Sequence, residues 1–175
     1  VLQLKCTLKV QKFLRLRPEN LNEVKSPDSL LGHWYVNLFF VDRRKTLLFM
    51  SERTLLSFIM FGARKDHVKT FPEIFLRGVD QLLSMEGFSI EAINKVFSGY
   101  EVIEYTPTSS RKLLGNMNDL MDMYKHSIIY EGGLKNCDLW SVISKINRTP
   151  QRNLGWSRPI DVTSELLEEI VGNAT

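Results

Sequence analysis

Cysteine is scarce in this 175-residue chain, occurring only as Cys6 and Cys137. Two cysteines so far apart make neither a disulfide framework nor closely spaced zinc-ligand pairs. Two free thiols in a reducing cytosol are therefore expected. Histidine is as sparse: His33, His67 and His126 show no metal-ligand spacing, and neither a metal nor another cofactor is expected. The 10 glycines are scattered, none at the spacing of a phosphate loop or a dinucleotide fingerprint. No apolar run approaches the ~18 residues of a membrane span. The densest stretch, Thr46 to Phe61, is broken by Ser51-Glu52-Arg53. No basic-then-apolar leader opens the chain, so a cytoplasmic protein without membrane association is the expectation. The net charge of +3 is too small to argue for nucleic acid without a clustered patch.

What is present is a dense β-prone region. Gly32 to Val41 and Thr46 to Met50 flank the charged turn Asp42-Arg43-Arg44-Lys45, and Thr54 to Phe61 follows. This reads as a three-stranded meander over about 31–61. Trp34, Val36, Leu38 and Phe40 share one face, and Tyr35, Asn37, Phe39 and Val41 the other. Both are largely apolar, so the strand is expected to be central and covered on both sides. Asn37 then needs a hydrogen-bond partner.

Leu2, Leu4 and Cys6 alternate with polar residues as in a short strand, and Thr7 is positioned to cap a helix carrying Leu8 and Phe13. Helical spacing recurs over 68–86, from Ser89 to about Ser98, from Ser109 or Ser110 to Gly132-Gly133, over 139–146 and over 161–171, the last capped by Thr163 or Ser164. Glu101 to Tyr105 reads as a strand that joins the sheet beside the first. The expectation is one α+β domain over 1–175: an antiparallel sheet built on the meander and covered by helices. Its core spans about 1–130, and a C-terminal helical extension about 134–175.

Several polar groups stand out. Arg43, Arg44 and Lys45 form the tightest cationic cluster, and a hairpin tip of this kind holds a phosphate or carboxylate unless it is simply a solvated turn. Arg64 and Lys65 follow the third strand and are placed to extend that patch. Ser109-Ser110-Arg111 opens the long helix, where free N–H groups attract an anion. Asn116, Asn118, Asp119 and Asp122 make a polar helix face, Asn116 and Asp119 side by side. The irregular stretch 147–159 carries Arg148, Arg152, Arg158 and Trp156, and is either a binding loop or a strap anchored on the core by Trp156. Cys6 and His33 lie on strands that can neighbour one another as a thiol–imidazole pair.

Trp34-x-x-Asn37, Arg43-Arg44-Lys45 and Ser110-Arg111-Lys112-Leu113-Leu114-Gly115-Asn116-Met117-Asn118-Asp119 together resemble a family of small prokaryotic proteins known only as a domain of unknown function. The resemblance covers about residues 2–125, and Asn147-Arg148-Thr149-Pro150 extends it. It implies no activity, ligand or catalytic residue. Where the family has Asn-Arg-Ser at the start of the long helix, this chain has Ser110-Arg111-Lys112.

Three functional readings stand side by side. The first is a non-enzymatic binding or accessory protein using Asn37, Arg43, Arg44, Lys45, Arg111, Asn116, Asn118 and Asp119, with a protein partner or a homodimer through Trp140 or Trp156 as further options. The second is nucleic-acid binding through the basic turn and Arg64, Lys65, Arg148, Arg152 and Arg158. The third is an enzyme acting on a phosphorylated small molecule, with Asp119 as general base and Arg111 as anion clamp. This last requires both groups in one pocket.

Overall fold

The period-two run at the start of the chain is strand β1 (Leu2–Cys6). The apolar region forms β2 (Trp34–Val41), β3 (Arg44–Ser51) and β4 (Ser57–Phe61). With β5 (Ile103–Pro107) they make one sheet of order β4-β3-β2-β1-β5. Among the described residues six helices pack around it: α1 (Leu8–Phe13), α2 (Phe71–Met85), α3 (Ile90–Phe97), α4 (Arg111–Tyr130), α5 (Leu139–Asn147) and α6 (Pro159–Asn173). The computed structural model describes residues 1–62 and 69–173, with side chains up to 168.

The α+β class is as expected, and β2, β3 and β4 form the antiparallel meander. The sheet as a whole is mixed, because β1 runs parallel to both β2 and β5. Each of those pairs is joined by a crossover rather than a hairpin, which is what parallel pairing requires. The hairpin turn is shorter than its charge run suggested. Only Asp42 and Arg43 turn, at φ 47° and 63°, while Arg44 and Lys45 pair with Val41 and Phe40 inside the ladder. A two-residue turn with both φ positive matches the twist of the strands it joins. β4 starts at Ser57 rather than Thr54, since Thr54 and Leu55 form a turn in which the Leu55 N–H donates to the Ser51 carbonyl at 3.0 Å.

β2 is buried on both faces as expected, except Phe40 near its end, which is 56% exposed. Aromatic rings of α2 cover one face, with Phe75 5.4 Å from Trp34 and 5.7 Å from Phe49. α4 covers the other: the Tyr124 and Ser57 hydroxyls lie 2.9 Å apart, and Lys125 sits over the Phe39 ring.

Ser89 and Ser110 cap α3 and α4 by accepting from the Ala92 and Leu113 N–H groups. Thr7 stands at the N-cap of α1, but its hydroxyl donates to Asn37 Oδ1 at 2.9 Å instead. Thr163 is not a cap. α6 already begins at Pro159, whose carbonyl accepts the Thr163 hydroxyl, and proline suits a first helical position because it has no N–H to satisfy.

Candidate functional site

α4 crosses the sheet with Met117, Leu120, Tyr124 and Ile128 buried against it. The flank beside that stripe carries Arg111, Lys112, Gly115, Asn116 and Asp119. The 3-10 turn Arg152–Leu154 lies against this flank, and the two enclose a cleft of about 450 Å³. The turn is held in shape by its own backbone: the Gln151 N–H donates to the Ser157 carbonyl, and the Trp156 N–H to the Gln151 carbonyl. Asn153 then reaches α4, its Nδ2 donating to Asn116 Oδ1.

Asn116 is only 7% exposed, and its Nδ2 has no hydrogen-bond partner among the described residues. A buried N–H left unmatched costs about 1–3 kcal/mol. Neither Arg111, Lys112, Arg152 nor Asp119 belongs to an ion pair among the described residues. The cleft therefore gathers three cations and one carboxylate that belong to no ion pair among the described residues, and one amide N–H group without a partner among them.

The remaining candidates do not join it. Asn37 is buried, and its Oδ1 accepts from Thr7 and from the Leu38 N–H, which meets the need for a partner. Asn118 is exposed outside the cleft lining. Arg43, Arg44 and Lys45 lie at the far end of α4. Their neighbour Asp42 accepts from the Leu134 N–H just past that helix at 2.7 Å, so about 30 Å of helix separates them from Arg111. Lys45 sits over the Phe13 ring. Arg64 and Lys65 lie outside the described residues.

Arg148 pairs with Glu86 at 2.7 Å and Arg158 with Asp161 at 2.6 Å. The latter contact holds the Asp161 carboxyl below its ordinary range, chiefly through the hydrogen bond. Trp156 is 67% exposed, so it does not anchor its stretch on the core. Leu154, packed against the core, does that.

Sequence reasoning missed a second polar group. Lys5, nearly buried, places its ammonium 3.1 Å from Ser109 Oγ and 3.4 Å from Glu52 Oε2, and the Tyr35 hydroxyl is 3.3 Å from Ser109. These contacts satisfy one another and fix the start of α4 on β1. Cys6 and His33 do not pair. The Cys6 thiol donates to the Leu4 carbonyl, and both His33 nitrogens are engaged, by the Gln3 N–H and the Lys25 carbonyl. Burial pushes the Cys6 thiol far up from its ordinary pKa, so it is an inert core residue. Gly115 was a legible signal for the cleft, because a glycine inside a long helix needs a reason.

A cleft of about 480 Å³ between the α2–α3 turn and α6 has Glu86 and Arg148 on its wall, and these already neutralise each other. Among the described residues no three His, Cys, Asp or Glu side chains are placed to share a metal ion, and no helix is long and apolar enough to cross a membrane.

A family described as a domain of unknown function (DUF6933) matches residues 3–162. That span takes in the Trp34-x-x-Asn37, 43–45 and 110–119 segments and continues through Asn147-Arg148-Thr149-Pro150. No curated protein matches the chain.

Proposed function

The chain belongs to the family of the domain of unknown function DUF6933, and from its own geometry we propose that it is a non-enzymatic binding protein for a small anion held between α4 and the 152–154 turn. The observation that carries this is the Asn116 amide, buried and, among the described residues, unpartnered at Nδ2, in the wall of a cleft whose three cations belong to no ion pair among those residues. An anionic oxygen supplies the acceptor that this amide lacks. Arginine guanidinium groups bind phosphate or carboxylate through paired N–H bonds, and the positive end of the α4 dipole acts in the same sense.

The test is thermal melting at low salt with inorganic phosphate and with citrate, for the parent chain and for Arg111→Ala/Arg152→Ala. A rise of several degrees with one anion, lost in the double variant, is the expected result. Equal melting temperatures with and without both anions would overturn the reading.

One observation favours the enzymatic alternative: Arg111 and Asp119 line the same cleft, as general-base chemistry on a phosphorylated substrate requires. Turnover of a phosphorylated compound that disappears in Asp119→Asn, with binding retained, would replace the binding reading by this one. The nucleic-acid alternative has less support, since Arg148 and Arg158 are already paired with carboxylates.

A further inference from the structure

Resting on the anion-binding reading, we infer that the ligand is a sugar phosphate laid along α4 across Gly115. Glycine inside a helix is less favourable than alanine, and at position 115 neither conformation nor packing asks for it. Its φ is not positive, and a Cβ built there meets nothing within 4 Å. Gly78 in α2 shows the contrast, because a Cβ there would strike the Phe58 ring at 2.3 Å. What Gly115 provides is a bare floor in the cleft that Asn116 and Arg152 also line.

The arrangement along the helix is ordered. Arg111, Gly115 and Asp119 follow at four-residue spacing, so they stack on one flank. The rise from the first to the last is about 12 Å. A cation thus stands at one end, bare backbone in the middle and a carboxylate at the other end. That order suits an elongated ligand with one anionic head and an uncharged, hydroxyl-bearing tail. Asp119 repels a second anionic group, which disfavours bisphosphates and dicarboxylates.

The walls narrow the class again. Every lining residue is charged, a carboxamide or glycine. Among the described residues no aromatic or aliphatic side chain lines the cleft to offer a face to a nucleobase or an acyl chain, the groups that apolar pockets select. A polyol presents donors and acceptors over its whole surface and finds partners in the Asn116 amide, Asn153 and Asp119.

The test is calorimetric titration of glucose 6-phosphate, ribose 5-phosphate, phenyl phosphate and inorganic phosphate into the parent chain, Gly115→Ala and Asp119→Asn. We expect at least one sugar phosphate to bind about tenfold or more tighter than phenyl phosphate or inorganic phosphate. Gly115→Ala is expected to raise the melting temperature by about 2–4 °C and to weaken that sugar phosphate about tenfold, a larger factor than it weakens inorganic phosphate. Asp119→Asn is expected to erode the same preference. Equal affinity for all four compounds, or undiminished sugar-phosphate binding by Gly115→Ala, overturns the sugar-phosphate assignment while the anion site stands. Binding of none of the four overturns both.

Discussion

Asn147 and Ser57 exchange two hydrogen bonds: the Ser57 N–H donates to Asn147 Oδ1 at 2.9 Å, and Asn147 Nδ2 donates to the Ser57 carbonyl at 2.8 Å. The carboxamide at the end of α5 thus imitates a strand residue at the start of β4, an edge strand. Asn147→Ala leaves two buried backbone groups unmatched, and we expect a loss of about 2–4 kcal/mol in urea unfolding. A loss below about 0.5 kcal/mol would mean that water replaces the amide without penalty.

Gly78 makes room for the Phe58 ring, which stacks on Phe49 at 4.8 Å. Gly78→Ala gains helix propensity but forces that pair apart, and overpacking of this kind costs about 1–3 kcal/mol. The variant is expected to melt lower than the parent. A higher melting temperature would show that the aromatic stack shifts freely.

His33 accepts the Gln3 N–H at Nδ1, so its proton lies on Nε2, which donates to the Lys25 carbonyl. Burial lowers its pKa from 6.5, against the opposing pull of the Lys25 carbonyl and Glu52 and with some help from Lys5. The folded chain therefore takes up this proton less readily than the unfolded chain. The stability that neutral His33 contributes is complete above pH ~6.5 and declines as pH falls through that value. Unfolding free energies measured from pH 7.5 to 5 should fall less steeply in His33→Gln than in the parent. Identical slopes would assign the pH dependence to other groups.

Arg43 is held at φ 63° in the hairpin turn, a conformation that costs a residue with a side chain about 1 kcal/mol and glycine almost nothing. Arg43→Gly is expected to raise stability by about 0.5–1 kcal/mol in denaturant melts. A destabilised variant would show that the guanidinium makes a compensating contact.

Where burial followed a simple period, the fold was legible. Trp34-Val36-Leu38 against Tyr35-Asn37-Phe39 announces a strand covered on both faces, and Leu120, Tyr124 and Ile128 announce the buried stripe of α4. The direction of β1 was not legible, since Leu2, Leu4 and Cys6 alternate identically whether the neighbouring strands run parallel or antiparallel. Half of the charged run Asp42-Arg43-Arg44-Lys45 belongs to the strand and not to the turn, because Arg44 and Lys45 are exposed strand residues, which resemble turn residues in composition. At the candidate site, Arg111, Asn116 and Asp119 were readable from helix geometry. Arg152 and Asn153 reach them only through a tertiary contact that no local spacing encodes. Arg148 and Arg158 looked like ligands of a partner because their carboxylates, Glu86 and Asp161, come from elsewhere in the fold or the next helix.

The place of β1 between β2 and β5 has a bearing on synthesis. One edge of β1 is matched when Trp34 to Val36 emerge, but the other waits for Ile103 to Pro107. At about 5–20 residues per second, the hundred-odd residues between Gln3 and Glu104 take roughly 5–20 s to appear. For that interval the nascent chain displays an open strand edge with Leu2 and Leu4 on it, a template for pairing with a neighbouring chain. Slow elongation between β2 and β5 would lengthen this exposure, so yield of folded protein should respond to translation speed over that segment more than over the helices that follow.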